Sequence, residues 1–379
     1  MTLIDLICKL ISFKSVSPCD DGSIKYLSNI LKKKKFACKN LNFGSRKKKT
    51  YTKNHFAFLQ RGNGPHICFA CHVDVVPPGN IHNWSTNPFK AVVKKGKVFG
   101  RGACDMKGAI AAYILAVNQF LEHIKKFNGT ISFIITSDEE GKADFGTKKV
   151  IEWLKKEKIN IDFCIVGEPT NPKNVGELAK IGRRGSINCQ LTVRGKQGHV
   201  AYPENAKNPI PSLMKYLEKL NQPLDKGNKN FQPSNLEITS IDTGNPVDNL
   251  IPQTASSKFN IRFNNIFDSK SLKKKIKSRL DSVGKNYSIK FNISGEPFLK
   301  TSIKYNKLLR DTVHEVTGRD LKMDTSGGTS DARFISKICP VIEFGSVGKT
   351  MHQVNENAKI KDLEILSKVY LKFLQKVYQ

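Results

Sequence analysis

The feature that most constrains the fold is a short apolar run, Ile67 to Cys71, which is followed by His72 and Asp74. The run contains β-branched and aromatic residues and no glycine or proline, so it predicts a buried central strand. In an open α/β sheet, ligands bind in the crevice beyond the carboxyl ends of the strands. A histidine there can offer one ring nitrogen to a metal while a nearby carboxylate holds the other. A strand-capping histidine beside a solvated aspartate is the alternative.

Two later apolar runs end in a similar way. The run from Thr130 to Thr136 is followed by Glu139 and Glu140, and the run from Ile161 to Val166 is followed by Glu168. Each acid by itself could be a solvated loop charge. If the runs are neighbouring strands of one sheet, their carboxyl ends bring all these acids to the same edge. The shared position of these acids at one edge of the sheet predicts that they form a single site.

Two further residues complete the candidate set. Asp105 stands just before a long apolar helix predicted from Met106 to about Lys125, where it could also act as an N-cap. His352 lies in the last part of the chain. Histidines with several carboxylates form a hard ligand set that suits two zinc, cobalt or manganese ions bridged by a carboxylate. Paired ions activate water, and a carboxylate that binds neither ion can move its proton, so we expect hydrolysis of an amide.

The chain is predicted to be an α/β protein with two domains. Residues 1–180 and 297–379 alternate strands and helices and are expected to form a doubly wound, mixed-sheet catalytic domain. Residues 181–296 follow a β-α-β-β-α-β order with period-2 strands, which predicts an inserted ferredoxin-like domain.

Composition bears on the class of partner and on location. The formal net charge is +30, which could indicate nucleic-acid binding. The lysines are spread over the whole chain and are not interleaved with aromatic residues, so we favour compositional bias, no nucleic-acid partner, and steering of an acidic substrate. No apolar run is long enough to cross a membrane, and the N-terminus does not resemble a signal peptide, so we expect a cytoplasmic protein.

Several motifs resemble those of the co-catalytic metallopeptidase family, which includes carboxypeptidases, aminoacylases and acetylornithine deacetylase. The match runs in order along essentially the whole chain. Its motifs are His72-x-Asp74, Gly102–Gly108, Ser137–Gly141, Gly167–Thr170, Gly182–Ser186, Gly195–Pro203, Asn249–Pro252, Phe259–Phe263, Thr325–Asp331 and the late His352.

The resemblance implies a role for each matched residue. His72 and Glu168 would bind one zinc, Glu140 and His352 the other, and Asp105 both; cobalt or manganese could substitute. Asp74 would orient His72, and Glu139 would be the general base. His199 would polarise the scissile carbonyl from the partner subunit of a homodimer formed through the inserted domain. That this domain acts as a lid and as a dimerisation domain is implied only by the family resemblance of its motifs. The carboxylates of a small acidic substrate would be held by Arg183, Tyr202, Asn249, Arg262 and the Ser326-Gly327-Gly328 loop.

Overall fold

The computed structural model describes residues 1–378. Its helices are α1 Leu3–Ser12, α2 Ser23–Lys33, α3 Lys107–His123, α4 Thr147–Lys156, α5 Ile210–Leu220, α6 Ser269–Asp281, α7 Ile303–Thr317, α8 Ala332–Ile335 and α9 Ile360–Tyr378. Its strands are β1 Ala37–Phe43, β2 Thr52–Arg61, β3 His66–His72, β4 Val92–Lys94, β5 Lys97–Phe99, β6 Gly129–Thr136, β7 Phe163–Val166, β8 Leu178–Lys180, β9 Gly182–Arg183, β10 Gly185–Arg194, β11 Gly198–His199, β12 Asn235–Asp242, β13 Leu250–Ile251, β14 Thr254–Phe263, β15 Ser288–Gly295, β16 Phe298–Leu299, β17 Lys322–Asp324, β18 Val341–Glu343 and β19 Asn357–Lys359.

The chain divides into two compact units. Unit 1 comprises Met1–Gly182, Lys300–Asp324 and Ser330–Gln379, and unit 2 comprises Arg183–Leu299 and Thr325–Thr329. Each unit has a hydrophobic core of its own.

Unit 1 is built on a mixed sheet of eight strands in the order β1-β2-β6-β3-β7-β18-β8-β17. Strands β6, β3, β7 and β18 run parallel to one another. Strand β2 pairs with β6 in antiparallel fashion, and β1 pairs with β2 in antiparallel fashion. Strands β3, β6 and β7 are almost wholly buried, as their continuous apolar sequences predict. Because they are parallel, His72, Ser137 and Gly167 follow the same ends of three neighbouring strands.

Helices α1, α3 and α9 pack against one another over the unit 1 core. Three aromatic rings join this layer to the sheet. The ring of Tyr113 on α3 lies 4.3 Å, centroid to centroid, from Phe69 on β3 and from Tyr370 on α9. The Tyr370 hydroxyl donates a 2.6 Å hydrogen bond to the carbonyl of Phe344 just beyond β18. The strand ends that carry the candidate site are therefore backed by a close-packed core.

Unit 2 contains an antiparallel sheet in the order β12-β14-β10-β15, crossed by α5 and α6. This is the strand order of a ferredoxin-like fold. Alternate residues of β10 are buried, including Ile187, Cys189, Leu191 and Val193, because one face of the sheet packs on the helices. The predicted fold class, a mixed α/β sheet with an inserted ferredoxin-like part, is confirmed.

One alternative that the sequence left open for Asp105 is excluded. Asp105 is not the N-cap of α3, because that helix begins at Lys107 with Met106 at the N-cap position. The Asp105 carboxylate faces two histidine rings instead. Within residues 1–378, no helix combines the length and apolar character that a membrane crossing requires.

Candidate metal centre

Asp105 lies between the two predicted histidine ligands. Its Oδ1 is 3.3 Å from Nε2 of His72, and its Oδ2 is 3.2 Å from Nε2 of His352. The carboxylate thus presents one oxygen to each imidazole, which is the arrangement required of a group that bridges two cations. His72 and Asp105 are buried, whereas about half of the His352 side chain is exposed.

The predicted glutamates complete two groups of donor atoms. Nε2 of His352 is 2.9 Å from Oε1 of Glu140, and Nε2 of His72 is 3.9 Å from Oε1 of Glu168. One donor atom each from His72, Asp105 and Glu140 lie within 4.8 Å of one another, and so do donor atoms of His72, Glu139 and Glu168. The structure therefore brings together all six side chains that the sequence assigns to the ions and to the base.

These residues fit a cation site on chemical grounds. Among residues 1–378, Nε2 of His72 and Oδ1 of Asp105 are buried without a hydrogen-bond partner, which is costly unless something else satisfies them. Four carboxylates and two imidazoles offer only oxygen and nitrogen donors, the set preferred by zinc, manganese and cobalt. A divalent cation would also offset the repulsion among the acids.

The protonation of the cluster follows from its crowding. Burial, followed by the charge of Glu168, raises the pKa of Glu139 well above its ordinary value. Burial would also raise the pKa of Asp105, but the adjacent imidazoles of His352 and His72 outweigh it and lower that pKa. The bonds of His352 to Asp105 and Glu140 raise the pKa of His352 to about 10. The imidazoles therefore favour the ionised form of Asp105.

The main chain and the side chain of Asp74 contact different groups of the site. Nδ1 of His72 donates to the backbone carbonyl of Asp74 at 2.9 Å, and the Asp74 carboxylate is 3.7 Å from that nitrogen. The carboxylate instead accepts the backbone N–H groups of Glu139 and Glu140. It turns toward them because two backbone donors in a buried loop need an acceptor. Asp74 therefore orients the ring through its main chain and the two glutamates through its side chain.

A second buried acid shapes the same glutamate loop. Asp138 accepts the backbone N–H groups of Ala143 and Phe145, which closes the segment after β6 into a compact turn.

The turn that carries His352 is also constrained, because His352 has a φ of 62°, in the left-handed region. Non-glycine residues adopt this conformation rarely, and such positions cluster at functional sites.

The sequence interpretation missed three residues. Glu356 and Arg101 form a buried ion pair of 2.8 Å next to the Asp105 loop, and neither had been assigned a role. Asp331, the last residue of the Thr325–Asp331 motif, is buried, and burial raises its pKa. The only available signal was that these residues fall within or beside the matched motifs.

The remaining predicted residues belong to unit 2. His199 is exposed, its Nδ1 accepts the N–H of Ala201 at 3.0 Å, and its ring lies 5.7 Å from that of Tyr202. Asn249 accepts the N–H of Val200 through its carbonyl, so these residues share one loop cluster. That cluster presents polar side chains at the surface of unit 2.

A second group in unit 2 centres on Arg183. Its guanidinium donates a 2.8 Å hydrogen bond to the carbonyl of Ser326. Gly327 has a φ of 100°, and any side chain there would collide with Arg183. Arg262 lies on β14, directly paired with Ser186 of β10. Arg183 and the Ser326–Gly328 loop are therefore in direct contact.

A mixed α/β fold with two histidines that share a carboxylate at a sheet edge defines the protein as a candidate dinuclear metallohydrolase. A family model described as peptidase family M20/M25/M40 matches residues 68–376. The chain belongs to this family. Its similarity to curated relatives extends over nearly its full length.

Two of these relatives are named succinyl-diaminopimelate desuccinylase. The protein of Pelagibacter ubique (strain HTCC1062) is 49% identical over 381 residues, covering 99% of this chain and 98% of the relative. The protein of Wolbachia pipientis wMel is 45% identical over 377 residues, covering 99% and 93%.

Solved structures with low sequence identity share the fold. The metallo-carboxypeptidase Sso-CP2 of Sulfolobus solfataricus aligns over 100% of this chain and 99% of its own, with a TM-score of 0.79 at 18% identity. The Bacillus subtilis YXEP protein, described as a dinuclear metal binding peptidase from the M20 family, covers 99% and 97% with a TM-score of 0.71 at 16% identity.

Proposed function

We propose that the protein hydrolyses the amide bond of N-succinyl-LL-2,6-diaminopimelate to succinate and LL-2,6-diaminopimelate, a step of lysine and meso-diaminopimelate biosynthesis in the cytoplasm. The observation that carries the chemistry is Asp105, whose two oxygens face His72 and His352. The choice of substrate is supported by curated relatives of that name at 43 to 49% identity.

Two zinc ions are the proposed cofactor, with cobalt or manganese able to replace them. His72 and Glu168 would hold one ion, His352 and Glu140 the other, and Asp105 both. When bound, such a pair supplies an activated water and a positive charge for the carbonyl oxygen.

Glu139 is the proposed general base. It is one of the acids beside His72, and burial raises its pKa, so it is able to hold a proton during the reaction. Glu139 takes the proton of the attacking water and returns it to the amide nitrogen. The C–O bond to the succinyl carbon forms first, and the C–N bond breaks as the nitrogen receives the proton, so the amine leaves neutral. Asp74 keeps Glu139 in place by accepting its backbone N–H.

Unit 2 is proposed to bind the substrate. Arginine pairs with carboxylates through two parallel hydrogen bonds, and the substrate carries three carboxylates. Arg183 and Arg262 would bind them, helped by polar groups of Tyr202, Asn249 and the Ser326–Gly328 loop. His199 would donate to the scissile carbonyl oxygen from the partner subunit.

A homodimer formed through unit 2 is part of this proposal. Strand β12 lies at the edge of the four-stranded sheet and exposes apolar side chains, with Ile238 37% exposed and Ile241 61% exposed. An uncovered edge strand with apolar side chains is suited to pairing with a second chain. A second copy would cover these residues.

Parallel assays test the activity. The protein with two equivalents of zinc should hydrolyse N-succinyl-LL-2,6-diaminopimelate faster than N-acetylornithine, and chelation should abolish the activity. Faster turnover of the acetyl compound would contradict the substrate, and no hydrolysis of either would contradict the reaction class.

A mixing experiment tests the action of His199 across subunits. His199→Ala and Glu139→Gln proteins should each be nearly inactive. After subunit exchange, a mixed dimer holds one site with both residues intact. Activity should return to about a quarter of the wild-type value, since half of the dimers are mixed and one of their two sites is complete. No recovery despite demonstrated exchange would show that His199 acts within its own chain.

A further inference from the structure

The side chain of Glu356 is completely buried beside the loop that carries Asp105. Its Oε1 accepts the backbone N–H groups of Cys104, at 3.0 Å, and of Asp105, at 3.2 Å. Its Oε2 accepts the N–H of Gly102 at 3.0 Å and a guanidinium N–H of Arg101 at 2.8 Å. One carboxylate therefore satisfies consecutive donors of the loop that positions the bridging ligand.

Arg101 extends this connection to two more segments. Its guanidinium donates to the carbonyl of Gln353 at 3.2 Å and to that of Pro77 at 3.3 Å. It also lies 5.1 Å from the centre of the Trp84 ring. Gln353 directly follows His352, and Glu356 lies on the same turn. The pair therefore ties the His352 turn to the Asp105 loop.

The two proposed ions depend on these segments unequally. His72 ends β3 and Glu168 lies just beyond β7, so both are outside the two segments that the pair joins. Asp105 and His352, in contrast, lie on the two segments that the pair joins. The proposed ion held by His352 has ligands on both joined segments. The proposed ion held by His72 has one ligand on them, Asp105.

We infer that Arg101 and Glu356 are positioning residues that set the affinity of the ion held by Asp105, Glu140 and His352. The inference rests on the proposed dinuclear function and adds a determinant outside its ligand set. Loss of a partner that orients a ligand typically weakens metal binding by about 10- to 100-fold. The weakening should fall mainly on one of the two ions.

Glu356→Gln is the sharpest test. Both oxygens of Glu356 face N–H donors, so the amide group of glutamine must direct its own donors against one of those pairs. Asp225→Asn is the matched control, because Asp225 is also a carboxylate that accepts several N–H groups, all of them within unit 2. A His352→Ala protein lacks a ligand of the second ion, so its spectrum serves as the reference for a protein that binds the first ion, the one held by His72, alone.

Apoprotein of each variant should be titrated with Co²⁺ alone, followed by visible absorption and calorimetry. Wild-type and Asp225→Asn proteins should bind two ions. Glu356→Gln should bind the first almost normally and the second at least about tenfold more weakly, with a one-ion spectrum like that of His352→Ala. Equal weakening of both ions would indicate general loosening and would overturn the inference, as would unchanged binding of both.

Arg101→Lys decides the question if Glu356→Gln does not fold. Lysine keeps the charge but cannot reach Glu356, Gln353 and Pro77 together, so the same ion should weaken by a smaller factor. Unchanged affinity of that ion would overturn the inference. If the wild-type protein itself bound fewer than two ions, the proposed function would fail first, and this result is distinct from any difference between variants.

Discussion

At the scale of single residues, the site depends on carboxylates that differ in their surroundings. Asp105 faces two imidazoles, Asp74 faces two backbone N–H groups, and Glu139 lies buried near another acid. The same functional group thus serves as ligand, support and base. The surroundings of each carboxylate determine its role, because they fix its direction and its proton affinity.

Glu139→Gln should separate proton transfer from metal binding. Glutamine has nearly the same shape but cannot take a proton, so the hydrolysis rate should fall by about 100- to 10,000-fold, the usual contribution of a general base. Steady-state assays and metal analysis of the same preparation measure the two effects. A rate near that of the wild type would remove Glu139 as the base, and loss of both ions would make it a ligand.

His55 gives a pH prediction away from the candidate site. It is buried on β2, its Nδ1 lies 2.8 Å from the Asn40 side-chain oxygen, and burial, followed by the charge of Lys32, lowers the pKa of His55 to about 4. The unfolded chain takes up this proton near pH 6.5. The contribution of neutral His55 to the free energy of unfolding is therefore fully present above pH 6.5. It is lost as the pH falls toward 4, by up to about 3 kcal/mol.

The comparison with His55→Gln isolates this contribution. Between pH 7 and pH 4, the free energy of unfolding should fall less steeply for the variant than for the wild type, as measured by urea denaturation at each pH. Parallel curves for the two proteins would refute the assignment.

At the scale of elements, the site is a consequence of strand direction. Strands β3, β6 and β7 are parallel and adjacent, so residues far apart in sequence follow the same ends. The helices then hold the strands in register through Phe69, Tyr113 and Tyr370.

Tyr370→Phe should destabilise unit 1 without changing the ligands. The variant leaves the buried carbonyl of Phe344 without the hydroxyl that donates to it, which should cost about 1 to 3 kcal/mol of unfolding free energy. Tyr26→Phe is the control, because the hydrogen bond of that hydroxyl is to the sulfur of Met1, at 3.5 Å, near the surface. Chemical denaturation of both variants measures the difference. Equal effects would mean that the buried bond contributes nothing particular.

Much of this arrangement could be predicted from the sequence, because apolar runs followed by acids have a plain physical meaning at sheet edges. His72, Glu140 and Glu168 follow such runs. The orientation of groups within loops could not be predicted in this way. The N-cap alternative for Asp105 stayed open because local spacing says nothing of distant histidines, and Glu356 was overlooked because a single glutamate after His352 forms no pattern.

At the scale of the whole molecule, the net charge of +30 is the dominant physical property. A positive field accelerates the encounter with an anionic substrate, and salt screens it over a Debye length of about 10 Å at 0.1 M. The field acts on association and leaves the bound state largely unchanged.

Ionic strength should therefore affect the two kinetic constants differently. Raising the salt concentration from about 0.01 M to about 0.3 M should lower kcat/KM for the proposed substrate severalfold while kcat stays nearly constant. Steady-state kinetics with an inert salt measures both. An equal fall in kcat would point to an effect on the folded enzyme or its ions, and a flat kcat/KM would mean that charge plays no part in capture.

The interruption of unit 1 by unit 2 has a consequence for the order in which a nascent chain matures. His352, Glu356 and helix α9 lie after the insertion, so a ribosome delivers them after unit 2. Until then the sheet lacks Tyr370 and Phe373 from its core, and Asp105 lacks one of its two imidazoles. Hydrolytic competence and a closed core therefore arrive together, and only once unit 2 has been synthesised.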